Sequence, residues 1–157
     1  FTEISEHFNM TFRFITDRGV THEMVRHRPS SYGQESTRYV NYKQGLNISL
    51  PTGFYEKAEE VQKEYEAAFW DAERHYIRLM ELGEKAQQAR GVLPTQLKTE
   101  IVMTTYMREW DHVFNLRSKG TTGAPHPDIK TVMDIAYATA LKEYPAVQRY
   151  YDFMATA

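Results

Sequence analysis

The alternation of apolar and polar residues predicts the first elements of the chain. Residues 8–16 alternate in this way, which is typical of a half-buried strand. The apolar positions of this strand are Phe8, Met10, Phe12 and Phe14. A turn is expected at residues 17–19. A short helix should follow, capped by Thr21 and ended by Pro29, because a proline disfavours helical backbone in the residue before it.

Spacings of three and four residues between apolar side chains predict a long helix over residues 51–82. Its apolar stripe consists of Val61, Tyr65, Ala68, Ala72, Tyr76 and Leu79. Further helices are expected over residues 84–90 and 109–116. A last amphipathic helix is expected over residues 128–151, with a kink at Pro145 because proline removes a helical hydrogen bond.

The remaining segments predict loop and strand. Residues 29–37 are small and polar, which is typical of a loop, and residues 38–42 are expected to form a brief strand. Residues 99–107 are rich in β-forming side chains and predict another strand. Together these elements favour one mixed α/β (α+β) domain over residues 1–157, with a small sheet, one long helix and several shorter ones.

Composition narrows the class of protein. The chain has 157 residues, of which 41% are hydrophobic and 25% charged, close to the average of folded domains. The net charge of −2 indicates no general affinity for nucleic acid. Because no apolar run approaches the roughly 20 residues that cross a bilayer, we expect no membrane span. The absence of cysteine excludes disulfides, thiolate metal sites and a cysteine nucleophile, and favours a cytoplasmic location.

The densest polar cluster begins with an Arg-His-Arg triplet at residues 26–28. Its other members are Ser30, Ser31, Gln34, Glu35, Ser36 and Arg38. Guanidinium groups bind phosphate bidentately and loop hydroxyls can complete an anion site, which favours a phosphate or nucleotide site. The alternative is a solvated helix end whose basic residues are favoured by the helix dipole. The residue pattern alone leaves both interpretations open.

Two further groups of polar residues are candidates for a metal or ligand site. His22 and His27 are five residues apart, about 140° around a helix, so they lack the spacing of a zinc helix and no metal site is expected. A second polar cluster on one short helix consists of Arg108, Glu109, His112, Asn115 and Arg117. Within it, Arg108, His112 and Asn115 at i, i+4 and i+7 form a polar stripe on one helix face. Such a stripe is either a ligand surface or simply the wet side of the helix. Neither a dinucleotide-binding glycine motif nor a P-loop is present.

Four ordered blocks over residues 6–117 resemble flavin-dependent thymidylate synthases. The first is Glu6-His7, and the second is the triplet at 26–28 followed after seven residues by Ser36. The third runs from Ala89 to Glu100, and the fourth is the segment 108–117. The resemblance implies the family's own mixed α/β fold, not a Rossmann fold. It also implies reductive methylation of dUMP to dTMP, with FAD, NADPH and methylenetetrahydrofolate, by a homotetramer whose active sites are shared between subunits.

The resemblance also implies roles for individual residues. Expected contacts to FAD come from Arg26, His27, Arg28, Gln34, Arg108 and His112. Expected contacts to dUMP come from Glu23, Arg26, Gln34, Glu35, Ser36, Thr37, Arg38, Arg90 and Arg117, with Arg90 reaching the phosphate in a neighbouring subunit. Some relatives carry glutamate at the position of Gln34, and glutamine is common at the position of Glu23.

Arg117 is the expected catalytic residue. Without a thiol to add to the pyrimidine, the uracil must be polarised by charge, and an arginine beside it stabilises negative charge that develops at N3 and O4. Ser36 is assigned to binding, because a serine nucleophile needs an adjacent base and the sequence positions none.

The start of the chain leaves alternatives open. The family has a further segment before the Glu-His block, so we expect the N-terminal part of its domain to be missing here. The alternatives to an enzyme are a non-catalytic nucleotide-binding module and an inactive fragment. RNA binding through residues 26–38 is weakened by the net charge of −2.

Overall fold

The computed structural model describes residues 4–156. Within that range, β1 (Asn9–Asp17), β2 (Ser31–Gln34) and β3 (Lys98–Tyr106) form a three-stranded sheet in the order β1-β3-β2. The strands predicted over residues 8–16 and 99–107 are confirmed, and side chains along β1 alternate between exposed and buried over most of its length. The loop prediction for 29–37 is partly wrong, because β2 lies inside it. This strand is polar and lies at the sheet edge, so it carries no apolar alternation to reveal it.

The helices of the structure overlap every predicted helix but begin and end at different residues. They are α1 (Arg18–Met24), α2 (Glu59–Glu81), α3 (Ala86–Ala89), α4 (Met107–Arg117), α5 (Pro127–Glu143) and α6 (Pro145–Thr156). Short 3-10 turns occupy Ile4–Glu6, Phe54–Glu56 and Arg90–Val92. Among the described residues, none of these helices has the length and apolar character needed to span a bilayer.

The first helix begins three residues before the predicted cap. The Asp17 carboxylate accepts a hydrogen bond from the backbone N–H of Val20 at 2.8 Å, so the residue that ends β1 also caps α1. Thr21 lies inside the helix, where its hydroxyl donates to the carbonyl of Arg18 at 3.0 Å. The predicted turn at 17–19 and the cap at Thr21 are therefore wrong. Strand and helix follow one another directly.

Three other boundaries differ from the prediction. Residues 38–42 do not form a strand: residues 37–39 form a turn, in which the backbone N–H of Val40 donates to the carbonyl of Ser36 at 3.1 Å, and residues 40–42 have no regular structure. The long helix starts at Glu59 and not at residue 51. The kink predicted at Pro145 is a break, because Pro145 opens a new helix, where its missing N–H costs nothing.

The chain divides into two compact units. The first comprises the described residues up to Phe14, His22–Gly33, and the described residues from Val102 onward. Its core is aromatic: the Trp110 ring stacks on Phe114 with centroids 5.4 Å apart and meets the Phe12 ring edge-on at 5.0 Å. The Trp110 indole N–H donates to the carbonyl of Met10 at 3.0 Å. These contacts fix α4, which carries several candidate site residues.

The second unit comprises Ile15–Thr21 and Gln34–Ile101. Its core contains the buried residues Tyr42, Tyr76, Ala89 and Leu97. The predicted apolar stripe of α2 is only partly buried there: Tyr76 is buried, whereas the Val61 side chain is 44% exposed. The helical spacing of the stripe is confirmed, and the burial it suggests holds only toward the C-terminal end of α2. One domain over residues 1–157 remains a prediction.

Candidate functional site

A group of charged and polar side chains in the first unit lies between α1, the segment that follows it, and α4. We call it the His27 cluster, and its members are Glu23, His27, Glu109, His112 and Arg117. Trp110, Val113 and Phe114 are buried in the core and hold α4 in place, so its polar residues have fixed positions. The cluster therefore rests on well-packed elements.

Two contacts hold the guanidinium of Arg117. Its Nε–H donates to Nε2 of His27 at 3.3 Å, and its Nη1 donates to the Glu23 carboxylate at 2.8 Å. The side chains of Arg117 and Glu23 are 24% and 31% exposed, so the ion pair is partly shielded from water. A guanidinium has five N–H donors, and these two contacts use only two of them. The planar guanidinium of Arg117 is thus held in one orientation, and its remaining N–H donors are available to a ligand.

His27 is neutral at physiological pH. Burial is the main cause, and the nearby charges of Arg117 and His112 add to it; together they lower the pKa of His27 from 6.5 to about 4. A neutral imidazole has one N–H, and Nε2 accepts from Arg117, so the proton lies on Nδ1. This nitrogen is 3.7 Å from a carboxylate oxygen of Glu109.

Glu109 and His112 complete the cluster from successive turns of α4. Glu109 is buried, and burial raises the pKa of its carboxyl group against a smaller opposing effect of His112. The His112 ring is exposed and meets the His27 ring edge-on, with centroids 6.0 Å apart. The cluster thus runs from a buried carboxylate to an exposed imidazole.

Three residues of the His27 cluster are close enough together to be candidate metal ligands. Ligand atoms of His27, Glu109 and His112 all lie within 4.8 Å of one another, a donor set that suits zinc or another transition metal. The hydrogen bond from Arg117 occupies Nε2 of His27 and leaves Nδ1 protonated, so His27 offers no free lone pair in this arrangement. The predicted absence of a metal remains a prediction. The sequence signal for this group was Glu109 and His112 at i and i+3, which the histidine spacing alone did not reveal.

The arginines expected at the flavin lie around this cluster in the first unit. Arg26 and Arg28 are exposed in the segment after α1. Arg108 is exposed on α4, and its Nη1 is 2.7 Å from the Glu6 carboxylate. Exposed guanidinium groups are chemically suited to the phosphates of a dinucleotide.

Tyr32 is a member of this region that sequence reasoning missed. Its hydroxyl lies 2.7 Å from the carbonyl of Met24 and 2.8 Å from that of His27, and its single proton is shared between them. This contact ties β2 to the turn that carries the Arg-His-Arg triplet. A lone tyrosine in a polar stretch carries no sequence signal for such a role.

Six of the residues predicted for dUMP, Gln34–Arg38 and Arg90, lie in the second unit. The Gln34 amide donates to the hydroxyl of Thr21 at 2.9 Å and to that of Thr99 at 3.4 Å, both of which are buried. Arg90 Nη1 donates to the hydroxyl of buried Thr37 at 3.3 Å. The structure therefore brings Arg90 and Thr37 together within one chain, and the contact predicted from Arg90 to a neighbouring subunit remains a prediction.

The other residues of this segment have mainly local contacts. The Ser36 hydroxyl accepts from the backbone N–H of Arg38 at 3.3 Å. The Arg38 guanidinium lies over the Tyr39 ring at 5.5 Å. The backbone N–H of Glu35 donates to the carbonyl of Glu100 at 3.0 Å, which anchors the segment beside β3. The segment therefore offers two hydroxyl groups and Arg38, and Arg90 lies beside it on Thr37.

Comparison with known proteins decides the family. The family model for thymidylate synthase complementing protein (Thy1) matches residues 1–146. The chain belongs to this family. The predicted resemblance is confirmed, and the ordered motifs that carried it lie within the matched range.

Relatives of this Thy1 chain are named flavin-dependent thymidylate synthases. The protein of Geobacter sulfurreducens is 34% identical over 115 residues, which are 73% of this chain and 50% of that protein. The protein of Pyrococcus horikoshii is 35% identical over 117 residues, or 73% of this chain and 48% of that one. The protein of Mycobacterium tuberculosis is 31% identical over 146 residues, or 81% and 54%. The chain spans about half the length of these relatives.

The fold of the Thy1 chain also has a solved counterpart. A UMP/dUMP methylase, PolB from Streptomyces cacaoi, bound with 5-Br dUMP, superposes with a TM-score of 0.79 at 21% identity. The match covers 96% of this chain and 76% of that one. The predicted mixed α/β fold is therefore confirmed.

Proposed function

We propose that this chain acts in the reductive methylation of dUMP to dTMP, as a flavin-dependent thymidylate synthase. Membership of the Thy1 family and the names of its relatives support this activity. The observation that carries it is the guanidinium of Arg117, which is oriented by His27 and Glu23 with donors left over. The proposed setting is the cytoplasm.

The donor set of the first unit fits a flavin dinucleotide. Arg26, Arg28 and Arg108 present exposed guanidinium groups, and the FAD diphosphate carries the negative charge they would bind. His27 and His112 would lie beside the same ligand, with His27 neutral and His112 exposed. When bound, FAD would carry reducing equivalents from NADPH as a hydride. The proposed FAD contact of Gln34 rests on the resemblance.

The segment Gln34–Arg38 and Arg90 would bind the nucleotide dUMP. Hydroxyl groups and arginines are the usual donors to a phosphate monoester, and both occur here. Thr37 orients Arg90 through its hydroxyl. In the proposed homotetramer, Arg90 would serve the phosphate bound by a neighbouring subunit, so that each active site draws residues from more than one chain.

Arg117 would activate the pyrimidine. Carbon C5 of uracil is a weak nucleophile until electron density moves into the ring, and the chain has no cysteine to add at C6. A fixed positive charge beside N3 and O4 stabilises the density that develops there, as oxyanion-hole donors do. The methylene carbon would come from methylenetetrahydrofolate. The fixed orientation of Arg117 matters because a donor that is already aligned needs no reorganisation during reaction.

Two measurements on the purified chain test this proposal. The absorbance spectrum with and without added FAD should show bound flavin, and dUMP labelled with tritium at C5 should release tritium when folate and reductant are present. Arg74→Ala is a suitable control for both, because Arg74 is exposed on α2 and paired with Asp71. A chain that fails to bind FAD yet binds dUMP would contradict the proposal and favour a non-catalytic nucleotide-binding module.

A further inference from the structure

Glu109 has no role among the expected ligand contacts, yet its carboxylate is buried inside the His27 cluster. We propose that Glu109 is a positioning residue that holds His27 in the tautomer whose Nε2 accepts the hydrogen bond from Arg117. The inference rests on the proposed function of Arg117. It assigns to Glu109 an effect on the reaction that passes through two other side chains.

The first step is the contact between Glu109 and His27. The carboxylate oxygen lies 3.7 Å from Nδ1, beyond a direct hydrogen bond, so the effect is electrostatic. A carboxylate facing Nδ1 is attracted to an N–H at that atom and repelled by a lone pair there. Glu109 therefore lowers the energy of the Nδ1–H tautomer relative to the Nε2–H tautomer.

The second step lies at the other ring nitrogen. Arg117 Nε is 3.3 Å from Nε2, and a guanidinium nitrogen can only donate. A proton on Nε2 would meet the Arg117 N–H head-on. Glu109 on one side of the ring and Arg117 on the other thus favour the same tautomer. Glu109 thereby keeps Nε2 available to accept the hydrogen bond from Arg117.

The third step is the cost of placing a carboxylate here. Glu109 lies on α4 next to Trp110, which belongs to the aromatic core, and burial disfavours its charged form. An apolar side chain at this position would avoid that cost. Without the Glu109 carboxylate, only Arg117 would favour the Nδ1–H tautomer, so the Nε2–H tautomer would be populated more often. In that tautomer His27 cannot accept from Arg117, and the guanidinium would pivot about its bond to Glu23.

Side-chain ¹⁵N NMR of histidine-labelled protein tests the proposal directly. In the unaltered chain, His27 should show the Nδ1–H tautomer. Glu109→Leu should increase the Nε2–H population at least severalfold, whereas Glu109→Gln should largely keep the original tautomer, because its amide oxygen can still face Nδ1. Glu66→Leu, an exposed position on α2, is the matched control. An unchanged tautomer in Glu109→Leu would overturn the inference. Glu109→Met, which keeps the length of the side chain without its oxygens, should show the same increase and replaces the Leu variant if that variant does not fold.

Turnover gives the second readout. Glu109→Leu should reduce kcat about 10- to 100-fold through misalignment of Arg117. KM for dUMP should change less than about threefold, because the other proposed dUMP contacts, Gln34–Arg38 and Arg90, are unaltered. Glu109→Gln should recover most of the lost rate. If the unaltered chain has no methylating activity, the proposed function fails, while the NMR result still decides the role of Glu109.

Discussion

Arg117 Nε donates a hydrogen bond to Nε2 of His27 across 3.3 Å, which joins the Arg-His-Arg triplet to α4. This bond makes an arginine and a neutral histidine one functional unit. The proposed role of Arg117 then depends on orientation as much as on charge. A lysine has the same charge but cannot donate to His27 and Glu23 in a planar fork.

The first prediction concerns Arg117 itself. Both Arg117→Ala and Arg117→Lys should reduce turnover at least about 100-fold, because the fixed donor beside the pyrimidine is lost. Bound flavin, measured from the absorbance spectrum, should stay within about twofold of that in the unaltered chain. Near-normal turnover of the lysine variant would show that charge alone is enough and that the hydrogen bond to His27 is not needed.

The second prediction is a pH dependence of stability that arises from His27. Its pKa is about 4 in the folded chain and near 6.5 when unfolded, so the unfolded state binds more protons between these values. The unfolding free energy should therefore fall as pH decreases from about 6.5 to 4, by at most about 3 kcal/mol from this group. Urea denaturation at several pH values measures the slope.

His27→Asn provides the comparison for that slope. The variant has no titrating group at this position, so its unfolding free energy should depend less on pH in this range. Burial raises the pKa of Glu109, which acts in the opposite sense and favours the folded state at low pH. Comparing the two chains isolates the contribution of the histidine. Equal slopes would mean that His27 is not held neutral by the fold.

The third prediction concerns the ion pair between Glu23 and Arg117. Its partners are 2.8 Å apart and mostly shielded, so a double-mutant cycle with Glu23→Gln and Arg117→Gln should give a coupling energy of about 1 kcal/mol. Thermal or urea unfolding of the four proteins measures it. Lys63 and Glu59 form an exposed pair on α2, and the same cycle there should give less than about 0.5 kcal/mol. Equal coupling in both pairs would contradict the shielding inferred for Arg117.

The strongly patterned parts of the fold could be predicted from sequence. The alternation through β1 and the helical spacing of α2 and α4 depend on local residue order, which a single sequence displays. Asp17 shows where this fails, because one residue ends a strand and caps a helix, and either role alone fits the pattern. β2 was missed because an edge strand of polar residues is stabilised by pairing with β3, a contact that its own composition does not express.

The candidate site also has a part that the sequence predicts and a part that it does not. The Arg-His-Arg triplet and Arg117 could be found because a short ordered motif carries them. The pairing of Glu109 with His27 could not be predicted, because it depends on the packing of α4 in three dimensions. Burial, which turns an ordinary glutamate into a partner of the imidazole, is a property of the folded chain. The sequence shows only an acidic residue between an arginine and a tryptophan.

The last prediction concerns Gln34. The hydroxyl of Thr21 donates to the carbonyl of Arg18, so it accepts from the Gln34 amide. A glutamate has no N–H to offer, and its charge would lie beside two buried threonines. Gln34→Glu should therefore lower the unfolding free energy by about 1–2 kcal/mol at pH 7, measured by urea denaturation.

The background of the substitution distinguishes this mechanism from a general effect of charge. In a Thr21→Val chain the hydrogen bond between Gln34 and Thr21 is already absent. Gln34→Glu should therefore lower the unfolding free energy by less there than in the unaltered chain. Gln34→Met, which removes the donor without adding charge, should cost about 1 kcal/mol in the unaltered chain and less in the Thr21→Val chain, where only the longer contact to Thr99 remains. Equal costs in the two backgrounds would mean that the Thr21 hydroxyl does not hold Gln34.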